Sequence, residues 1–268
     1  MKKRIDIEKL LKWAYCEELP KAAGESGGSG GGGSWLGGGS FVELLTVIDD
    51  NRYGVVPDLA ASGEPHPDAL TLHAAVSKLD EGSVSVPADW NPMPELSCYG
   101  HHADLALTDA RAQLFIEAPD GKLRWRRPPR DLIRKHAVLG GAPDGFGSLP
   151  DLKPLRGPNG GEIWYRMCVQ LVATVDGGMS ELHYECDDGW DQKRRVPKRG
   201  AYRKFYLDPD PVPAVVMRQE YVLWWQCLDA LVERLSGRLD AHEPCGPTRP
   251  MTPWVGDGPT SMCRSKAI

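Results

Sequence analysis

The chain has 268 residues, 41% of them hydrophobic, and a formal net charge of −5. That length holds one large domain or two small ones around a real core. No stretch nears the ~18 consecutive apolar residues of a membrane span, and the basic start meets Asp6 and Glu8 too soon for a secretory signal, so the expected setting is cytoplasmic, away from membranes.

Asp6 is placed to cap a first helix, in which Ile7, Leu10, Leu11 and Ala14 share one face and Trp13 and Tyr15 broaden it. Pro20 is expected to end that helix. The stretch GESGGSGGGGSWLGGGS, residues 24–40, is a flexible tether by composition, with Trp35 and Leu36 as its one anchoring point. Phe41 to Ile48 reads as a short helix or buried strand, and Asp68 to Leu79 as a helix after the Pro65/Pro67 turn. Val84 to Trp90 reads as extended or irregular. His101 to Ile116 is expected to be helical, Ala118-Pro119-Asp120-Gly121 a turn, and Asp131 to Leu139 a helix closed by Gly140-Gly141.

Gly141 to Gly161 reads as a long surface loop. Ile163 to Thr174, IWYRMCVQLVAT, is rich in β-favouring residues. Asp176-Gly177-Gly178 would connect it to a return strand at Leu182 to Cys186, and such a hairpin needs a third strand or a helix to cover it. After the Pro209–Pro213 cluster a helix is expected to run to about His242. Tyr221, Trp224, Leu228, Leu231, Leu235, Leu239 and His242 form its apolar stripe, which packs on the core or serves a homodimer. The expected fold is therefore α+β, mainly helical, with a small antiparallel β-hairpin region and a long C-terminal amphipathic helix. Its parts are an N-terminal helix (1–23), the tether (24–40), a single mixed domain (41–243) and a Pro-rich tail (244–268).

Charge is unevenly spread: residues 41–120 carry net −11 and residues 121–210 net +5. Two basic clusters account for the second value. One holds Lys122, Arg124, Arg126, Arg127 and Arg130 around Trp125. The other, KRRVPKRGAYRK, holds Lys193, Arg194, Arg195, Lys198, Arg199, Arg203 and Lys204, with Tyr202 inside it. Cations interleaved with aromatics suit phosphate contacts beside base stacking. The same residues also suit an ordinary charged surface, and Asp187, Asp188 and Asp191 offset part of the second cluster's field. Val196 and Pro197 exclude a basic recognition helix there. The gap between the helices at His101 and Asp131 is too long for a helix-turn-helix.

Metal and catalytic patterns are weaker. The seven cysteines, Cys16, Cys98, Cys168, Cys186, Cys227, Cys245 and Cys263, are odd in number and widely spaced. They argue against a disulfide framework and for a reducing compartment. Cys98, His101 and His102 in CYGHH, with His183 and Cys186 in HYEC, could converge on one metal ion. On a strand, however, His183 and Cys186 point to opposite faces. Asp187-Asp188-Gly189-Trp190-Asp191 lacks the alternation of a calcium loop, although it could hold magnesium with other oxygens nearby. The GxSxG match at Gly24, Ser26 and Gly28 falls in the tether rather than on a strand–helix elbow, and no phosphate-binding glycine loop is present. No cofactor is expected.

The phrases RIDIEKLLKWAYCEELPKA, RKHAVLGG, DQKRRVPKRGAYRKFYLDPDP and EYVLWWQCLDALVERLSGRLDAHE resemble conserved proteins of alphaproteobacterial genomes and their prophages, a group with no established activity. The resemblance implies a bacterial or phage setting, where handling DNA is common work, and carries over no catalytic residue. The leading expectation is a non-enzymatic, nucleic-acid-associated protein contacting phosphates through the two basic clusters. Two alternatives stand beside it: an adaptor or structural protein using the N-terminal helix or the C-terminal stripe, and a metal-dependent enzyme ligated through Cys98, His101 and His102.

Overall fold

The computed structural model describes residues 2–23, 63–80, 86–145, 147–173 and 178–255. The tether, the segment Phe41 to Ile48 and most of the Asp176-Gly177-Gly178 connection lie outside the described residues. Strand β1 (Lys3–Asp6) leads into helix α1 (Ile7–Trp13), a π-helical turn (Ala14–Glu18) and α2 (Leu19–Ala23). There follow α3 (Pro67–Ser77), α4 (His101–Leu114), β2 (Phe115–Glu117), β3 (Leu123–Trp125), α5 (Pro129–Leu139) and β4 (Asp151–Pro154). Next come β5 (Trp164–Ala173), β6 (Met179–Cys186), β7 (Trp190–Asp191), β8 (Val196–Pro197), β9 (Tyr202–Arg203) and β10 (Phe205–Asp208). Helix α6 (Val212–Leu235) and β11 (His242–Cys245) complete the order. The fold is α+β and mainly helical, with several small antiparallel sheets and one parallel pair, β1 with β11. No described helix is long and apolar enough to cross a membrane.

The chain packs as two compact units. The first comprises Met1–Met93, Thr108–Gly147 and Pro213–Ile268, the second Pro94–Leu107 and Ser148–Val212. In the first, Asp6 caps α1 by accepting from the backbone N–H groups of Glu8 (2.9 Å) and Lys9 (3.4 Å). Ile7, Leu10, Leu11, Ala14 and Tyr15 are buried with Leu72 and Val76 of α3, Ile133 of α5, and Trp224, Leu228, Leu231 and Leu235 of α6. Most of the C-terminal stripe thus lies in a core shared with the N-terminal helix.

Several boundaries differ from expectation for local reasons. The helical run does not stop at Pro20. The Leu19 N–H bonds Ala14 O across a π-type turn, a register change just ahead of a residue with no N–H to give. Helix α6 ends at Leu235 rather than near His242, because Gly237 turns the chain at φ 73°. His242 instead begins β11. The presumed loop 141–161 contains β4, whose partner β10 lies some fifty residues downstream. The Ala118–Gly121 turn closes the β2–β3 hairpin as expected, with Gly121 N–H donating to Ala118 O at 2.9 Å.

One carboxylate organises the return of the chain in this unit. Asp68 is 1% exposed and accepts hydrogen bonds from the backbone N–H groups of Asp240 (2.7 Å), Ala241 (3.0 Å) and His242 (3.1 Å). His242 Nδ1 adds a fourth contact at 2.8 Å. These bonds fix the segment after α6 against the start of α3 and deliver β11 alongside β1, with Lys3 opposite His242 and Arg4 opposite Glu243. Burial raises the Asp68 pKa, but the bonds from Asp240, His242 and Ala241 outweigh it and leave the carboxyl below its ordinary value.

Asp68→Asn replaces an acceptor of four bonds with a group that must donate, and should lower stability to urea by about 2–4 kcal/mol. The folded pKa is depressed, so this stabilisation is present above the unfolded value near ~3.9 and is lost as pH falls through the folded value. Urea unfolding of both proteins at several pH values should show a smaller acid-side loss for the variant.

Candidate metal centre

In the second unit β5 and β6 pair from Arg166↔Cys186 to Ala173↔Met179, and Cys168 faces Tyr184. Side chains alternate along a strand, so Arg166, Cys168, Tyr184 and Cys186 share one face of the ribbon. Cys168 and Cys186 are diagonal neighbours there, and Asp188 follows two residues past β6. The two sulfurs and a carboxylate oxygen of Asp188 lie within 4.8 Å of one another. Zinc bound to sulfur at about 2.3 Å in a tetrahedron separates two sulfurs by about 3.8 Å, so small side-chain movements would suffice. This is the one such group of three or more His, Cys, Asp or Glu side chains among the described residues.

Gly189 places Asp188. Its N–H donates to Trp164 O (2.8 Å) and its carbonyl accepts from Lys198 N–H (2.8 Å). A Cβ at this position would stand 2.7 Å from Trp164 O and 2.9 Å from Tyr165 O. The chain therefore crosses the start of β5 in backbone contact and drops the Asp188 carboxylate onto Arg166. Arg166 Nε reaches Oδ1 at 2.6 Å, an Arg166 terminal nitrogen reaches Oδ2 at 2.8 Å, and Lys198 Nζ reaches Oδ2 at 3.1 Å. Hydrogen bonds from Arg166 and then Lys198 hold the Asp188 carboxyl far below the usual carboxylate range.

The hydrogen bond between the two sulfurs, followed by desolvation, raises the Cys186 thiol above its ordinary value. The charge of a Cys186 thiolate in turn raises the Tyr184 phenol, which stays protonated as a donor on the same face. The cluster thus combines one firm carboxylate, the side chains of Arg166 and Lys198, and a pair of cysteines.

Of the Cys and His residues singled out in the sequence as ligands, Cys186 alone joins this group, and Asp188 joins it from the carboxylate run considered for magnesium. Cys98 is disulfide-bonded and offers no thiolate. The His101 and His102 rings sit side by side, 6.3 Å apart. His183 faces away from Cys186, with Nε2 3.5 Å from Glu181. Cys168, Arg166, Asp188, Gly189 and Lys198 complete the site. The register of the hairpin is the signal that could have found Cys168 and Arg166; no sequence signal points to the crossing at Gly189.

The basic residues divide between the units. In the first unit, Arg124 pairs with Asp120 (3.0 Å), Arg127 with Glu220 (3.2 Å) and Arg130 with Asp131 (3.6 Å). Arg126 donates to Ala112 O, and the Trp125 ring lies 4.6 Å from Phe115 against the core. In the second unit, Lys198 holds Asp188, Arg203 holds Glu162 at 2.8 Å, and Lys204 and the Tyr202 hydroxyl both reach Glu185. Lys193, Arg194, Arg195 and Arg199 are exposed and have no ion-pair partner among the described residues.

No protein-family model matches the chain, and no curated protein or solved structure compared with it matches.

Gly189→Ala should displace Asp188 and, with zinc as the probe of the cluster proposed below, weaken any affinity about 10–100-fold, the usual effect of disturbing the groups that orient a ligand. Gly246→Ala, whose Cβ meets nothing within 4 Å, should leave it unchanged. Competition titration against a chromophoric chelator reads both.

Proposed function

We propose that this protein is metal-dependent and binds one thiophilic divalent cation of the zinc class through Cys168, Cys186 and Asp188. The observation that carries the reading is the convergence of two thiols and a carboxylate within 4.8 Å on one face of the β5–β6 hairpin. Two sulfurs with one oxygen are a donor set that favours zinc over magnesium or calcium. A carboxylate has about four lone-pair positions, so Asp188 can keep Arg166 and Lys198 while giving one to an ion. Arg166 and Lys198 hold the carboxylate beside the thiols, and they would offset the repulsion among three anionic donors once the thiols give up their protons. Three protein donors leave a fourth tetrahedral position for water or substrate, the arrangement in which a metal acts as a Lewis acid.

Titration of the reduced full-length protein with cobalt(II) tests this. One equivalent should produce thiolate-to-cobalt charge-transfer absorbance, displaced by zinc. Cys168→Ser and Cys186→Ser should abolish the band. Two thiols lose protons on ligation, so affinity should fall as pH drops, by up to about a hundredfold per pH unit below both thiol pKa values. Binding that survives both cysteine substitutions would sink the reading.

A second reading keeps the expected contact with nucleic acid and rests on Lys193, Arg194, Arg195 and Arg199, four exposed cations around the β7–β8 turn with no ion-pair partner among the described residues. If all four reached phosphates, duplex affinity should vary with salt at a log–log slope of about −3.6. Arg194→Ala/Arg195→Ala/Arg199→Ala should remove most of that slope in a fluorescence anisotropy salt series. No binding at low salt would eliminate this reading.

A further inference from the structure

The pair Cys168 and Cys186 has a second chemistry besides ligation. Both are free cysteines and half-buried, so solvent reaches them. They belong to a group no wider than 4.8 Å and occupy diagonal positions on adjacent strands. A disulfide needs its sulfurs at about 2.05 Å, with Cα atoms usually about 4.4–6.8 Å apart. Closing that distance takes a change of side-chain rotamer and some extra twist in the ribbon. This ribbon can supply the twist. Strand β9 pairs with β5 only at Trp164 and Tyr165. On the opposite face Met167, Val169 and Leu171 are 53–61% exposed, so among the described residues only the contacts of Tyr202 and Lys204 with Met167 and Glu185 oppose the movement.

We infer that Cys168 and Cys186 form a thiol–disulfide exchange site that takes low-molecular-weight disulfides of the glutathione type, and that its oxidised form cannot hold the metal. The exchange stands on the geometry of the two sulfurs, and only the exclusion of the metal rests on the function proposed above. In the first step one protein thiolate attacks a sulfur of the small disulfide RSSR. A protein–S–S–R bond forms, the R–S–S–R bond breaks, and RS⁻ leaves. The second cysteine then loses its proton to water and attacks the sulfur of the first. The Cys168–Cys186 bond forms and the second RS⁻ leaves. Two protein thiols are oxidised, and one disulfide is reduced to two thiols. Oxidation removes both thiolate donors, and the remaining Asp188 is already held by Arg166 and Lys198.

The test uses the reduced full-length chain, treated with chelator and exposed to glutathione disulfide. Free thiols are then alkylated and the peptides mapped by mass spectrometry. The expected product is a Cys168–Cys186 cross-link, reversed by excess reduced glutathione. Cys186→Ser should stop at glutathione attached to Cys168, and Cys168→Ser at glutathione attached to Cys186. Zinc added first should slow cross-linking at least about tenfold, because metal-bound thiolates are poorer nucleophiles. Persistent mixed disulfides in the unaltered protein, or both thiols remaining free, would overturn the exchange site. Links from these cysteines to Cys16 or Cys245 instead would do the same. A cross-link forming equally fast with and without zinc would uphold the exchange site and remove the metal reading.

Discussion

The site depends on the register of the β5–β6 hairpin. Cys168 faces Tyr184 and Arg166 faces Cys186, and only registers of this parity put both sulfurs and the guanidinium on one side. A one-residue slip would send one strand's set to the opposite face. A two-stranded ribbon is marginal by itself, so other groups must fix it. Strand β9 contributes two residue pairs, Trp164↔Arg203 and Tyr165↔Tyr202. Arg203 stacks between Trp164 (5.2 Å) and Phe205 (5.4 Å), and Lys204 lies 4.5 Å from the Tyr165 ring centroid while pairing with Glu185. Each such contact is modest where exposed, but together they clamp the base of the hairpin.

Both units pin a returning segment with an aspartate, and the differences between the two decide what each is for. Asp68 is buried, and backbone N–H groups and one histidine fill its carboxylate. Such a group is a fastener, with lone pairs committed to fixed donors. Asp188 is about half exposed and held by side chains alone, and two thiols stand within 4.8 Å of it. Side-chain donors can share or yield a carboxylate oxygen more readily than a folded backbone can. The exposed aspartate is therefore the one available for ligation.

Much of the fold was legible, and the gaps have physical causes. Asp6 as a cap, the helices at Asp68 and Asp131, the Ala118–Gly121 turn and the two strands Ile163–Thr174 and Leu182–Cys186 follow from local patterns, and local contacts enforce them. Strands β4, β10 and β11 are short and take their identity from distant partners, so local propensity could not reveal them. The site was half legible. Cys186 stood out for its neighbour His183, which the strand then turned away. A turn at Asp176-Gly177-Gly178 brings Cys168 and Cys186 within two positions of facing each other, which marks the pair as close without giving the diagonal. The crossing at Gly189, which brings Asp188 in, follows from a backbone contact that no spacing rule encodes.

The charge balance of the cluster separates ligation from phosphate contact. With both thiols protonated, Asp188, Arg166 and Lys198 leave the group one charge positive. Losing two protons and gaining a divalent ion returns the same net charge. Metal binding of the proposed kind would be in effect an exchange of two protons for one ion, so its free energy would follow pH steeply and long-range salt effects weakly. Phosphate contact by Lys193, Arg194, Arg195 and Arg199 would behave in the opposite way, since it would release the cations condensed on a nucleic acid and exchange no protons. The two proposed surfaces would thus answer to different solution variables, and the variable that governs a measured binding event would identify which of the two it reports.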